Sequence, residues 1–236
     1  MSSVLGVIGD IHARWPLLEQ VLDALAKGPR LDGVLCVGDF ACAGRGERQS
    51  SERRVEYLLE VDRILKAVGG LGVDVVYVPG NHDRQDLSFW GNVDGKTTTM
   101  GGLRVGGIGG AGPDRMGFHY EWDEDEIRSR PNPEIDVLLS HCPPAGTDFD
   151  RLPSGAHVGS QAVLERVQAM KGVAVFGHIH EAYGVGQIGE CLCLNAGGLG
   201  PPMAHPRAGW VHGTDAVVLK DLRNGEETCA ERLKDS

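Results

Sequence analysis

Val4-Leu5-Gly6-Val7-Ile8-Gly9-Asp10-Ile11-His12 places a short apolar run near the start of the chain, halts it at a glycine and hands over to an aspartate and a histidine. A run of this length bounded by a turn residue reads as a buried strand, Val4 to Ile8. The same arrangement recurs twice. Val34 to Val37 ends at Gly38-Asp39, and the β-branched run Val73 to Val78 is stopped by Pro79-Gly80 immediately before Asn81. Between these runs, Leu17, Leu18, Val21, Leu22 and Leu25 fall at helical spacing within Pro16 to Lys27, with Pro16 suited to the first turn. Ser50 or Ser51 can cap a second helix running to about Val68. The alternation predicts an α/β fold with largely parallel strands, in which ligands gather beyond the carboxyl ends of the strands. Asp10, Asp39 and Asn81 each lie just past such an end.

The second half repeats the logic less regularly. Leu103 to Ile108 reads as a strand, and the glycines from Gly106 to Gly112 read as a flexible turn near a substrate mouth. They fail as a dinucleotide fingerprint because Pro113 and a polar loop follow, where a helix should open. Glu121 to Glu126 reads as the solvated start of a short helix over Asp123 to Ser129. Val137 to Leu139 delivers Ser140-His141, Ser160 to Met170 is a helix, and Val173 to Phe176 delivers Gly177-His178-Ile179-His180. Short strands are expected at 185–188, 191–194 and 216–219. Neither a linker nor an internal repeat interrupts the chain, so residues 1–236 are read as one domain with a polar, frayed tail from about Gly225.

Composition narrows the function classes. Hydrophobic residues make up 41% and charged residues 24%, ordinary values for a globular protein. No apolar stretch approaches the ~18–20 residues of a membrane helix, and Val4 to Ile8 is too short for a signal-peptide core, so no membrane partner and a cytoplasmic location are expected. The formal charge of −10 argues against nucleic acid as a partner, since phosphate contacts from Lys and Arg dominate that affinity. The six cysteines contain no C-x-x-C pair and are read as reduced thiols.

The polar residues at the strand ends supply carboxylate, amide oxygen and imidazole, a donor set suited to hard or borderline metal ions. In order they are Asp10-Ile11-His12, Gly38-Asp39, Gly80-Asn81-His82-Asp83, Ser140-His141 and Gly177-His178-Ile179-His180. This order resembles the calcineurin-like metallophosphoesterase superfamily, whose pattern D-x-H, G-D, G-N-H-D/E, H, G-H-x-H is complete between residues 4 and 198. The resemblance implies two packed mixed β-sheets flanked by helices. It implies two divalent metal ions, the first held by Asp10, His12 and His180, the second by Asn81, His141 and His178, with Asp39 bridging them. Mn²⁺ is favoured by the donors, and Fe, Zn and Ni fit the same set. Asn195-Ala196-Gly197-Gly198 resembles the family's Asn-x-Gly-x turn near the site.

In the family, the residue matching His82 is not a ligand but donates a proton or hydrogen bond to the leaving oxygen. The metals polarise the phosphoryl oxygens and supply a bridging hydroxide for in-line attack. Asp83 either orients that histidine or caps the following turn. Arg14 and Arg45 follow metal-bearing motifs and are possible substrate contacts, with ordinary surface arginines as the alternative. Phosphoprotein phosphatases of the superfamily read Gly-Asp-x-x-Asp-Arg-Gly at the second motif. Here the stretch is Gly38-Asp39-Phe40-Ala41-Cys42-Ala43-Gly44, so the second Asp and its Arg are missing and a usual partner of His82 is lost. The expected activity is phosphodiester hydrolysis of a small phosphoester. The alternatives are a phosphomonoesterase or nucleotide pyrophosphatase with the same cluster, and a metal-binding scaffold without turnover.

Overall fold

The computed structural model describes residues 2–44 and 51–232. Among them, twelve strands build two six-stranded mixed sheets. The first sheet contains β1 (Val4–Ile8), β2 (Gly33–Cys36), β3 (Val75–Tyr77), β10 (Arg207–His212), β11 (Ala216–Asp221) and β12 (Glu227–Glu231), in the order β12-β11-β10-β1-β2-β3. The second contains β4 (Thr97–Met100), β5 (Leu103–Ile108), β6 (Val137–Ser140), β7 (Val173–Phe176), β8 (Gly184–Ile188) and β9 (Cys191–Asn195), in the order β4-β5-β6-β7-β9-β8. Within each sheet a parallel block carries the polar strand ends: β1-β2-β3, at one end of the first sheet, and β5-β6-β7-β9, in the middle of the second.

Successive strand residues point to opposite faces, and the apolar side chains use both. Leu5, Val7, Leu35, Val37, Val76 and Val78 meet Val105, Val137, Leu139, Val175 and Leu194 in the layer between the sheets. Ile8, Val34, Cys36 and Tyr77 face outward instead, against Leu18, Val21 and Leu25 of α1 (Trp15–Lys27) and Tyr57, Val61, Ile64 and Val68 of α2 (Ser51–Gly69). On the other side, Leu138, Ala174, Phe176 and Cys193 pack on Ile127 of α3 (Glu124–Ser129) and on Ala162, Val163 and Val167 of α4 (Gln161–Gln168). Both faces of each parallel block are therefore covered, which is why β1, β2, β6 and β7 read as unbroken apolar runs.

The polar chain from Gly225 is not a frayed tail up to Arg232. Residues Glu227–Glu231 pair antiparallel with β11 as an edge strand, with Ala230 packed on the inter-sheet core. One inward side chain and a full ladder suffice to hold a strand whose other residues are polar and exposed. The Gly106–Gly112 run is not a loose turn throughout either, because Gly106 and Gly107 lie inside β5. A Cβ on Gly107 would meet Val78 Cγ1 at 2.4 Å and the Val93 carbonyl at 2.9 Å, so glycine here serves close packing. The acidic stretch also does more than solvate a helix. Asp123 caps α3, and the Glu124 carboxylate accepts from the Ser160 hydroxyl and the backbone N–H groups of Gln161 and Ala162. That satisfies free donors at the start of α4.

Candidate metal centre

The parallel strands of both sheets end at one place, and the residues following them converge there. Asp10 follows β1, Asp39 follows β2, Asn81 follows β3, His141 follows β6, and His178 and His180 follow β7. The backbone bends sharply to achieve this. His12, Asp39 and His178 all have positive φ, at 48°, 50° and 66°. Non-glycine residues in that region are strained, and such strain gathers at functional sites. Glycines clear the remaining space: a Cβ on Gly198 would lie 2.4 Å from His180 Cγ, and one on Gly200 would lie 2.4 Å from His12 Cδ2.

The side chains form two groups joined by Asp39. In one, His12 Nε2 lies 3.4 Å from His180 Nε2 and 3.5 Å from Asp39 Oδ2, while His180 Nε2 lies 3.5 Å from Asp10 Oδ2. In the other, Asn81 Oδ1 lies 3.0 Å from His141 Nε2 and 3.2 Å from His178 Nδ1, and Asp39 Oδ1 lies 3.6 Å from His141 Nε2. Asp10, Asp39 and His141 place potential ligand atoms within 4.8 Å of one another.

The donor set fits divalent cations on the chemistry of these contacts. His141 Nδ1 donates to the Val37 carbonyl at 2.7 Å, and His180 Nδ1 donates to the Gly200 carbonyl at 3.2 Å. Each Nε2 is thereby left as a lone pair, and that of His141 faces the Asn81 and Asp39 oxygens, acceptors rather than donors. Asp10 Oδ1 is buried without a hydrogen-bond partner. Contacts of 3.0–3.6 Å between such lone-pair atoms are repulsive on their own. They approach the spacing of ~3.0–3.4 Å expected for ligands about 2.1 Å from a common ion.

Electrostatics agree. Burial, then the neighbouring Asp39, raises the Asp10 carboxyl well above its ordinary range, and burial raises Asp39 to about 6. Burial lowers His12 and His141 to about 3, and lowers His178 and His180 as well. The imidazoles are neutral and so able to offer lone pairs to a metal, and burial disfavours the carboxylate anions, which a cation would stabilise.

His82 sits beside these groups. Its backbone N–H donates to Asp39 Oδ1 at 2.9 Å, its ring lies edge-on to His12 at 5.1 Å between centroids, and Phe118 packs against it with centroids 4.1 Å apart. Asp83 does not touch that ring. Its carboxylate is buried and accepts from the N–H groups of Gly80 (2.9 Å) and Phe40 (3.3 Å) and from the Tyr57 hydroxyl (2.9 Å). It ties the turn that precedes it, carrying Asn81 and His82, rather than the following turn that the sequence offers as its alternative to orienting His82. Arg14 is exposed at the N-cap of α1, and among the described residues its side chain meets none of the cluster. Arg45 lies outside the described residues. Three of the other four histidines have separate partners: His119 Nε2 meets the Ala43 carbonyl, His157 Nδ1 pairs with Asp150, and His205 Nδ1 accepts from Arg207 and Arg223. Two neighbours of His82 are not among the expected site residues: Cys42, at the position where the second motif lacks its aspartate, and Phe118, which no motif marks.

The profile of the calcineurin-like phosphoesterase family matches residues 4–182. Solved structures share the fold at low identity. A dimetal phosphatase from Danio rerio superimposes with a TM-score of 0.65 at 13% identity, over 98% of this chain and 99% of that one. The protein TT1561 of Thermus thermophilus does so with a TM-score of 0.55 at 15% identity, over the same shares. No curated protein sequence matches the chain significantly.

Proposed function

The chain belongs to the calcineurin-like phosphoesterase family, whose members hydrolyse phosphoesters with metal ions, and from that premise we propose that it is a binuclear phosphodiesterase acting on a small phosphoester. The carrying observation is the placement of Asp39, with one carboxylate oxygen toward His12 and the other toward His141. Asp10, His12 and His180 would hold one ion, Asn81, His141 and His178 the other, and Asp39 both. Mn²⁺ is the leading candidate because its preferences match carboxylate and amide oxygens with imidazole. Bound ions would supply Lewis acidity at the phosphoryl oxygens and an activated water.

The chain's own residues do the rest. The neutral imidazoles and the short backbone ties to Val37 and Gly200 hold the ligands in place before substrate arrives. His82, outside both groups and partly exposed, stands where it can give a proton or hydrogen bond to the leaving oxygen. Asp83 and Tyr57 hold the turn from which Asn81 and His82 project.

Hydrolysis of bis-p-nitrophenyl phosphate, compared with p-nitrophenyl phosphate after chelation and add-back of Mn²⁺, Ni²⁺, Zn²⁺ or Mg²⁺, tests the reading. Metal-dependent turnover favouring the diester is expected. Preference for the monoester would replace the phosphodiesterase with a phosphomonoesterase. No turnover with two ions bound per chain would replace the enzyme with a scaffold.

A further inference from the structure

We propose that Cys42 is the positioning residue of His82, occupying Nδ1 of its imidazole so that Nε2 is the atom presented to substrate. The proposal rests on the phosphoesterase reading above and gives that site a partner that its second motif lacks. Cys42 Sγ lies 3.6 Å from His82 Nδ1, within reach of a sulfur hydrogen bond. The backbone holds the pair in register. The Ala43 N–H donates to the His82 carbonyl at 2.9 Å, and the His82 N–H donates to Asp39 Oδ1 at 2.9 Å. Phe118 packs on the ring and His12 meets it edge-on, so the contacts together limit the ring's rotation.

Competing partners are occupied elsewhere. Asp83 follows His82 directly, yet its carboxylate is taken by Gly80, Phe40 and Tyr57. Cys42 also stands at the sequence position where phosphoprotein phosphatases carry the second aspartate of Gly-Asp-x-x-Asp-Arg-Gly. A thiol there is a weaker acceptor than a carboxylate but can fill the same place. With Sγ accepting from Nδ1–H, the ring keeps that proton while Nε2 delivers its own to the leaving oxygen. The neutral ring is then left as the Nδ1–H tautomer, with Nε2 free to be reprotonated from water. Cys42 is exposed, so its replacement removes little packing.

The test pairs kinetics with a spectroscopic signature. Cys42→Ala is expected to lower kcat about tenfold, part of the ~10² attributable to a general acid, with KM and metal content unchanged. Cys42→Asp, which returns an acceptor for Nδ1–H, is expected to recover kcat to within about threefold of the parent. Imidazole ¹⁵N shifts of the Zn²⁺-loaded protein, read under alkaline conditions on the neutral ring, the form left after proton delivery, should show His82 as the Nδ1–H tautomer in the parent and moved toward Nε2–H in Cys42→Ala. An unchanged kcat in Cys42→Ala, a loss that Cys42→Asp does not recover, or an unchanged His82 tautomer would each overturn the proposal. If the parent hydrolyses no phosphoester with any metal, the functional reading fails, and the tautomer comparison still decides the Cys42–His82 contact.

Discussion

Asp39 Oδ1 lies 3.6 Å from His141 Nε2, and that nitrogen has no proton to offer because the ring's Nδ1 donates to the Val37 carbonyl. Two acceptors held face to face inside a protein need a cation between them. Asp39→Asn removes the charge that would bridge two ions while keeping the shape. The expected outcome is loss of at least one ion per chain by elemental analysis after gel filtration. Full retention of two ions would remove Asp39 from the bridge.

His82 touches the ligand groups without belonging to either, since its ring meets His12 only edge-on. His82→Ala should therefore keep the metal content and lose at least ~10² in kcat, the scale of a general acid. Equal hydrolysis of a diester by variant and parent would sink its assignment to the leaving oxygen.

Metal uptake should release protons in a pH-dependent way. Asp39, raised to about 6 by burial, carries a proton below that pH in the metal-free protein, and Asp10 is raised as well. Cations bind the ionised carboxylates, so protons leave as metal enters. His12 and His141, lowered to about 3, are neutral throughout this range and add nothing. Calorimetry in buffers of different ionisation enthalpy should find more protons released near about pH 5.5 than near about pH 8. Release that grows with pH would contradict the raised carboxyls.

The sequence made the parallel blocks legible because β1, β2, β6 and β7 are buried on both faces and so read as plain apolar runs ending in Gly or polar residues. Even the strand bounds of Val173–Phe176 follow directly from composition. Three strands were not legible. Thr97–Met100 and Glu227–Glu231 are strands of largely polar sequence, the first half exposed and the second mostly so, and their pairing comes from neighbours rather than from their own periodicity. Arg207–His212 places Gly209 in its middle, where the side chains of Val7 and Leu194 come close, and such a break hides a strand. In the site, the expected metal donors lie just past the ends of β1, β2, β3, β6 and β7, and linear motifs can record that. Phe118 approaches His82 through a tertiary contact, which leaves no spacing in the chain, and a cysteine at the second motif's aspartate position reads there only as a lost partner. Asp83 shows the limit most sharply: its adjacency to His82 suggested a partner, while the fold turns its carboxylate toward Tyr57.

Tyr57 and Asp83 form a buried pair whose energetics should depend on pH. The Tyr57 hydroxyl donates to Asp83 Oδ1 at 2.9 Å and accepts from the Arg84 N–H at 3.2 Å. Burial, then Asp39, raises the Asp83 carboxyl to about 7, and the Tyr57 bond is among the contacts opposing that rise. A carboxyl raised above its unfolded value stabilises the fold fully below about 4, and that stability is lost as pH rises through about 7. Tyr57→Phe withdraws a donor that the ionised form needs more than the protonated form does. The metal-free variant should lose about 1–3 kcal/mol, the cost of leaving buried polar groups unpaired, and should lose more at about pH 8.5 than at about pH 5.5. Urea denaturation of parent and variant at the two pH values measures the difference. A deficit equal at both would mean that Tyr57 supports the turn by packing alone and that the Asp83 charge does not draw on its hydroxyl.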